Sequence, residues 1–149
     1  MEKDNSTKLI RSGLKRTEFM ETSEPLFLTS GFVYNSAEEA EDAFKERKKR
    51  FMYSRFGNPT VQMLQDKLAD IEGAEVCWCT STGMAAVFTI FMSFLKKGDR
   101  VVAGRALFGS CHHIITKILP RFGIEVQLVD GKDLNAWEKA LKKKTSLIF

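Results

Sequence analysis

Residues 75–103, EVCWCTSTGMAAVFTIFMSFLKKGDRVVA, decide the fold of this chain. They predict a short strand over residues 75–80, a helix from about residue 81 to residue 98, and a strand over residues 101–103. The helix is apolar on nearly all sides, so we expect it to be buried. A strand, a crossover helix and a second strand in succession are typical of parallel pairing in an α/β sheet.

The same alternation continues to the end of the chain. The remaining elements are predicted as a helix over residues 109–122, a strand over 124–129, a helix over 133–143 and a strand over 145–149. Strands that alternate with crossover helices form mainly parallel sheets with both faces covered. We therefore expect an α/β fold with a mainly parallel sheet and helices on both of its faces.

Two more helices are predicted upstream. Ser36 is a suitable N-cap for a helix over residues 36–49, since Glu39 follows at the spacing of a capping box. The second helix begins at the Asn58-Pro59 pair, which combines an N-cap residue with proline at the first helical position, and ends at Gly73.

The first 35 residues show little periodicity and contain scattered Pro, Gly, Ser and Thr, which predict an extended arm with irregular turns. We expect residues 1–35 to form this N-terminal arm and residues 36–149 to form the start of the α/β domain. The chain ends in the apolar, strand-forming residues 146–149, and we expect it to be truncated inside a strand.

The composition is that of a globular protein, with 44% hydrophobic and 28% charged residues among 149. The net charge of +4 permits an anionic ligand but does not indicate a nucleic-acid protein. Three cysteines without framework spacing favour a reducing, cytoplasmic location. The longest apolar run, residues 84–95, is shorter than the roughly 20 residues of a membrane span, and the polar residues 1–8 lack a secretory signal.

The turn at residues 80–84, TSTGM, is the first candidate site. Free backbone N–H groups at a helix N-terminus favour an anion such as phosphate. Gly83 permits close approach of a ligand to the backbone, and the hydroxyls of Ser81 and Thr82 add donors. The alternative is an ordinary capped helix. The pattern is neither a dinucleotide fingerprint nor a P-loop.

The loop at residues 53–60, YSRFGNPT, is the second candidate site. Arg55 is suited to bind phosphate through two hydrogen bonds, and the Tyr53 hydroxyl can contact the same group. The alternative is a solvated loop beside the basic helix end at residues 45–50, which we do not interpret as a nucleic-acid site.

The segment at residues 107–110, LFGS, is the third candidate, because it follows a strand at the edge where α/β sheets bind ligands. Phe108 is able to stack on a planar ring there, and the alternative is a core phenylalanine. Cys77 and Cys79 are interpreted as small core residues on one face of a strand. The adjacent His112 and His113 have no partner at ligand spacing, and no metal site is predicted.

Together the segments YSRxxNPT at residues 53–60, STGMAA at 81–86 and FGS at 108–110 resemble the cystathionine synthase/lyase family of Cys and Met metabolism. The motifs occur in the family's order and at similar spacing, and the resemblance extends from about Leu9 to the end of the chain. It implies pyridoxal 5'-phosphate as cofactor. It also implies that the fold is the N-terminal part of the large domain of fold type I. The chain is well under half as long as a complete family member.

The resemblance implies a role for each candidate residue. Across a dimer interface, the cofactor phosphate of the neighbouring subunit would be bound by the loop that contains Tyr53, Ser54 and Arg55. The phosphate of the subunit's own cofactor would be held at a helix N-terminus by Thr82, Gly83 and Met84. Phe108 would lie over the pyridine ring. The implied assembly is a homo-oligomer, a dimer that shares the phosphate site and a tetramer when complete, which acts on a small molecule without nucleic acid or membrane.

Phe108 points to one branch of the family. Most relatives have tyrosine at this position, whose hydroxyl can take part in proton transfer, whereas phenylalanine keeps only the stacking. The segment resembles the O-succinylhomoserine sulfhydrylases, which replace the succinyl group with sulfide to give homocysteine in methionine biosynthesis. Cystathionine γ-synthase and methionine or cystathionine γ-lyase remain alternatives.

The family's Schiff-base lysine, in a Ser-x-Thr-Lys-like segment, and the aspartate that pairs with the pyridine nitrogen have no counterpart in these 149 residues. Ser6-Thr7-Lys8 precedes the whole phosphate site, and we reject it as the catalytic segment. We therefore expect an inactive N-terminal fragment of a pyridoxal-phosphate enzyme that contains no catalytic residue. The alternative is a short non-catalytic protein that binds a phosphate or a partner chain.

Overall fold

The computed structural model describes residues 5–149. The chain divides into two compact units, of which the first ends at Cys79 and the second runs over Thr80–Phe149. Each unit has its own helices, and the sheet belongs to the second. Residues 1–4 of the predicted arm lie outside the described residues.

Three helices form the first unit: α1 (Asn5–Arg11), α2 (Ala37–Phe44) and α3 (Pro59–Glu72). Helix α1 contradicts the prediction of a wholly extended arm. A helix of seven residues is too short to be stable alone, and this one packs against α3. The turn after it requires Gly13, which has a φ of +72° and whose Cβ would stand 2.3 Å from the Met63 carbonyl oxygen.

Helix α2 begins as predicted but ends earlier. The Ser36 hydroxyl accepts a hydrogen bond from the Glu39 N–H at 3.1 Å, which confirms the N-cap. The predicted continuation to residue 49 is wrong, because the helix ends at Phe44 and Glu46 takes a left-handed φ of 57°. Helix α3 has the predicted ends, since the Asn58 side chain accepts from the Thr60 N–H and Gly73 is left-handed, with a φ of 64°.

The second unit contains a three-stranded parallel sheet. Its strands are β1 (Arg100–Gly104), β2 (Glu125–Val129) and β3 (Leu147–Ile148), in the order β2-β1-β3. Val101 is in register with Val126 on one side and with Leu147 on the other. The parallel pairing confirms the prediction from the alternation of strands and helices.

Helices cover both faces of this sheet. Val101 and Ala103 pack into a buried apolar cluster whose helical members include Phe91, Ile115 and Leu119. Phe91 belongs to helix α4 (Gly83–Phe94). On the opposite face, Val102 and Val129 pack against Ala140 of helix α6 (Leu134–Leu141). Side chains of successive residues alternate between the faces, so one strand serves both clusters.

The helix predicted over residues 109–122 is present, but its geometry changes along its length. It consists of α5 (Gly109–His113), a π-helical turn (Ile114–Ile118) and a 3-10 turn (Leu119–Phe122). Pro120 lacks an N–H, and its ring would collide with the carbonyl four residues before it in a regular α-helix. The wider turn before the proline avoids this collision.

Two predictions in the stretch 75–103 are wrong. Residues 75–80 form no strand, because no described strand pairs with them, and Trp78 is 78% exposed. Helix α4 is not buried on all sides: Phe91 is inaccessible, while Phe94 is 73% exposed. The sheet of the described residues covers only one face of α4. No helix within residues 5–149 combines the length and apolar character needed to cross a membrane.

Candidate cofactor-binding site

The loop at residues 53–60 is attached to the preceding segment of the first unit by hydrogen bonds. Tyr53 forms an antiparallel bridge with Gly31, and the Ser54 N–H donates to the Ser30 carbonyl at 2.9 Å. The Ser54 hydroxyl donates to the carbonyl of Thr29. The loop therefore has a fixed backbone although its residues before α3 form no helix and no strand.

Asn58 connects this loop to helix α3 and to the preceding segment. Its side-chain nitrogen donates to the Phe27 carbonyl and to the Ser54 hydroxyl, both at 2.9 Å, while its oxygen caps α3 at Thr60. The side chain is 8% exposed. The sequence predicted the cap but not the contacts with residues 27 and 54, for which it offers no local signal.

The structure brings Tyr53 and Arg55 together on the surface of the loop. The Arg55 guanidinium carbon lies 5.3 Å from the centres of both the Tyr53 and Phe56 rings, within the range of cation–π contacts. Among residues 5–149, no carboxylate forms an ion pair with Arg55. The Ser54 hydroxyl donates to the Thr29 carbonyl instead, which leaves Tyr53 and Arg55 as the exposed polar side chains of residues 53–55.

Thr82 is the N-cap of α4 in the second unit. Its hydroxyl accepts from the Ala85 N–H at 3.0 Å, and its carbonyl accepts from the Ala86 N–H at 3.1 Å. The first N–H groups of a helix lack intrahelical acceptors. Within the described part of the chain, the N–H groups of Gly83 and Met84 donate to no acceptor.

The open end of α4 has the donors that a phosphate requires. Apart from its chain neighbours and the backbone of α4 itself, no described atom lies within 4 Å of the position that a Cβ on Gly83 would take, so an anion can approach the backbone. The Met84 side chain packs against the apolar cluster, and only its N–H faces the helix end. Two N–H groups, the Thr82 hydroxyl and the positive end of the helix dipole match the charge and acceptors of a phosphate.

Phe108 lies in the same unit, between β1 and α5. Its side chain is 71% exposed, so the alternative of a core phenylalanine is wrong. Its carbonyl accepts from the His112 N–H at 2.9 Å, and the preceding Leu107 packs against the cluster that Met84 also contacts. The exposed ring and the open end of α4 therefore flank one apolar cluster.

The basic run at residues 45–50 is partly neutralised by carboxylates of α2. Lys48 and Arg50 both form ion pairs with Glu39. The hydrogen bond from the Asn35 N–H, followed by the charges of these two cations, lowers the pKa of Glu39 to about 2 against the opposing effect of burial. The described residues contain no group of three or more potential metal ligands.

Comparison with known proteins identifies the family. The sequence model of the Cys/Met metabolism PLP-dependent enzymes, where PLP is pyridoxal 5'-phosphate, matches residues 6–149. The chain belongs to this family. The family depends on PLP, which agrees with the phosphate donors found at the end of α4.

Two curated relatives illustrate the range of similarity. O-succinylhomoserine sulfhydrylase of Mycobacterium tuberculosis is 48% identical over 140 residues, which cover 94% of this chain and 34% of the relative. L-methionine gamma-lyase of Treponema denticola is 33% identical over 144 residues, which cover 97% of this chain and 36% of the relative. The chain thus spans about a third of the length of the curated relatives it matches.

A solved structure shows the same architecture. A Campylobacter jejuni protein crystallised with N'-pyridoxyl-lysine-5'-monophosphate matches with a TM-score of 0.89 and 27% identity, over 98% of this chain and 36% of that protein. The match confirms the expected α/β fold, that of the N-terminal part of a fold-type I PLP enzyme.

Proposed function

We propose that this chain is the N-terminal part of an O-succinylhomoserine sulfhydrylase, which replaces the succinyl group of its substrate with sulfide to form homocysteine in methionine biosynthesis. The main support is the 48% identity with the Mycobacterium tuberculosis sulfhydrylase, against 33% with the methionine γ-lyase over a similar length. The proposal includes a cytoplasmic location, and it divides the chain into an arm, residues 1–35, and the start of the cofactor-binding domain, residues 36–149.

The end of α4 binds the phosphate of PLP in this proposal. The N–H groups of Gly83 and Met84 donate to phosphate oxygens, and the Thr82 hydroxyl donates its hydrogen while its oxygen keeps the cap to Ala85. The bound cofactor supplies an electron sink that stabilises a carbanion on the substrate. The exposed ring of Phe108 stacks on the cofactor ring, and any proton transfer at that position needs a different group, because phenylalanine has no hydroxyl.

The loop at residues 53–60 serves the neighbouring subunit. Tyr53 and Arg55 bind the phosphate of the partner's cofactor, with Ser54 fixing the loop between them through its inward hydrogen bond. Arg55 suits this role because it is exposed, lies within cation–π range of two rings and is free of carboxylate partners within the described residues. The complete enzyme is therefore a homo-oligomer, with a dimer as the smallest active unit and a tetramer as the expected assembly.

The test is an enzyme assay on a chimera. This chain replaces the matching 140 residues of the Mycobacterium tuberculosis sulfhydrylase, which then supplies the rest of the protein. We expect PLP binding and homocysteine formation from O-succinylhomoserine and sulfide. A folded, PLP-loaded chimera that forms no homocysteine would contradict the proposal. The Phe108→Tyr variant of the chimera is the matched control, and we expect it to keep PLP.

Methionine γ-lyase activity is the second candidate, favoured by the 33% identity with the Treponema denticola enzyme. The two candidates differ in their products, since the lyase converts methionine and water into methanethiol, 2-oxobutyrate and ammonia. Methanethiol release by the full-length protein that contains this chain, without homocysteine formation from O-succinylhomoserine, would favour the lyase.

A further inference from the structure

The stretch of the N-terminal arm over residues 25–31 runs antiparallel to the loop at residues 53–60. Its C-terminal end binds the main chain of Tyr53 and Ser54, which fixes the loop on one side of Arg55. On the other side of Arg55, the loop bonds to the N-terminal end of the same stretch. The position of the loop there depends on what holds that end.

Thr60, in the first turn of α3, holds the N-terminal end of the stretch. Its hydroxyl accepts a hydrogen bond from the Phe27 N–H at 2.9 Å and donates one to the Pro25 carbonyl at 3.3 Å. The Phe27 carbonyl in turn accepts from the Asn58 side chain at 2.9 Å. Both main-chain polar groups of Phe27 are thus bound by side chains at the N-terminus of α3. Because hydrogen bonds are directional, they fix the orientation of this residue as well as its place.

Helix α3 makes a firm anchor for the arm. It has 14 residues and packs against α1. The Thr60 N–H also donates to the cap at Asn58, so the cap and the anchor belong to one turn. Residues 25–30 form no helix or strand, and their attachment to the first unit therefore relies on these individual hydrogen bonds.

Arg55 has no comparable anchor of its own. Its guanidinium lies near two aromatic rings, and among residues 5–149 no backbone–backbone hydrogen bond involves it. Its position therefore follows from Ser54 and Asn58, which flank it and bind the arm. A binding group that is already in place loses less conformational entropy when its ligand arrives.

We propose that Thr60 is a positioning residue for cofactor binding. Its hydroxyl anchors residues 25–31 on α3, and this stretch holds the loop so that Arg55 meets the phosphate bound by the neighbouring subunit. Thr60 acts through the main chain of Phe27 and not by contact with the cofactor. The inference rests on the proposed role of the loop in the partner's site, and it gives the arm an effect that is exerted on the other subunit.

The experiment measures the loss of PLP during dialysis of the chimera with the Mycobacterium tuberculosis enzyme. Thr60→Val keeps the shape of the side chain but removes the hydroxyl, and we expect about fivefold faster loss, the value of one neutral hydrogen bond. Thr60→Ala, which places no methyl group against the two main-chain partners, should behave in the same way. Thr60→Ser keeps the hydroxyl and should retain PLP as the parent chimera does. Equal loss in the serine and valine variants would overturn the proposal.

Two controls separate this effect from general stability and from the role of the loop. Thr116→Val removes a hydroxyl that donates to the His112 carbonyl in the second unit, and we expect unchanged retention. The same loss in this variant would indicate general destabilisation and overturn the proposal. Unchanged retention in Arg55→Ala would refute the role of the loop itself. Weakened retention in Arg55→Ala together with unchanged retention in Thr60→Val would overturn only the role of Thr60.

Hybrid dimers provide a readout that a merely structural defect would not move. Gly83→Pro removes one N–H donor of the phosphate site and keeps α4, because proline is tolerated at the first helical position. A dimer of one Thr60→Val and one Gly83→Pro subunit, isolated with two affinity tags, has one site where an unchanged α4 faces an unchanged loop. We expect this site to lose PLP at the rate of the parent chimera. Loss at the rate of the Thr60→Val homodimer would place the effect within one subunit and overturn the proposal.

Discussion

The loop at residues 53–60 and the N-terminus of α4 are two candidate phosphate-binding elements that are held in place by different forces. Polar contacts hold the loop, since Ser54 and Asn58 donate to carbonyls of residues 27–30. Apolar packing holds α4, whose Phe91 is inaccessible within the main cluster. Hydrogen bonds fix direction and hydrophobic burial is not directional. The position of the loop therefore depends on individual donor and acceptor atoms, whereas the position of α4 depends on how well its apolar side chains fill the core.

This difference also explains what each element exposes. The loop turns its small polar groups inward and leaves Tyr53 and Arg55 outside, within cation–π range of each other. Helix α4 turns apolar side chains inward and leaves backbone N–H groups at its end. One element therefore presents a guanidinium and a phenol, and the other presents main-chain donors and a helix dipole.

The largest expected effect is the loss of the aromatic ring at the centre of the second unit. Phe91→Ala removes a side chain that is fully buried and lies 5.0 Å from the Phe149 ring, centre to centre. We expect the free energy of unfolding to fall by about 3–5 kcal/mol because of the cavity, measured by urea denaturation. Phe94→Ala, on the exposed side of the same helix, is the control and should change it by less than about 0.5 kcal/mol. Equal losses would contradict the assignment of the core.

The next effect tests the polar attachment of the loop. Asn58→Ala removes the α3 cap and leaves the Phe27 carbonyl without its donor. We expect a loss of about 2 kcal/mol in unfolding free energy, which combines a lost cap and a lost buried hydrogen bond, measured by denaturation.

Asn58→Asp sharpens the same test. It keeps the oxygen that caps α3 but turns an acceptor-only carboxylate oxygen towards the Phe27 carbonyl in a buried position, so we expect a loss at least as large as that of the alanine variant. Asn135→Ala, at an exposed position of α6, is the control. If both variants at Asn58 matched the wild type, the contacts with residues 27 and 54 would have no role in positioning the loop.

Arg55→Ala separates binding from stability. Arg55 is exposed, and within residues 5–149 it contacts two rings and forms no ion pair, so we expect the unfolding free energy to stay nearly constant. In the chimera with the Mycobacterium tuberculosis enzyme, we expect about tenfold weaker retention of PLP, the value of one charged hydrogen bond, measured by dialysis. Arg121→Ala in the second unit is the control, and unchanged retention in Arg55→Ala would refute the proposed role of the loop.

The smallest effect is a pH dependence confined to the first unit. The pKa of Glu39 is lowered from 4.5 to about 2, so the folded state favours its charged form. Its stabilising contribution is complete above pH 4.5 and is lost as the pH falls towards 2. The Glu39→Gln variant should lack this part of the acid dependence, which amide hydrogen exchange of α2 between these pH values would measure. An identical profile in both proteins would contradict the prediction.

Sequence patterns predicted the elements whose stability is local. The caps at Ser36 and Asn58, and the alternation that leads to a parallel sheet, depend on neighbours a few residues apart. The failures occur where long-range contacts decide. Residues 75–80 resemble a strand but have no partner among the described residues, and α1 forms in the arm only because it packs against α3.

The candidate site shows the same division between features set by local sequence and features set by long-range contacts. Its residues were predicted by their motifs, and the sequence contains the residue types that bind phosphate. Their accessibility was not predictable, since a phenylalanine in a chain with twelve of them is equally able to lie in a core, and the structure leaves Phe108 exposed. The contacts of Asn58 with residues 27 and 54 were likewise absent from any local pattern.

The sequence by itself determined the family, the parallel α/β architecture and the positions of the candidate phosphate-binding motifs, because motifs, caps and periodicity are properties of neighbouring residues. Only the tertiary structure decided that Ser54 faces inward, that the Arg55 guanidinium lies near two aromatic rings and that Phe108 is exposed. Exposure and side-chain contacts depend on which distant segments the chain brings together, and packing, not local propensity, makes that choice.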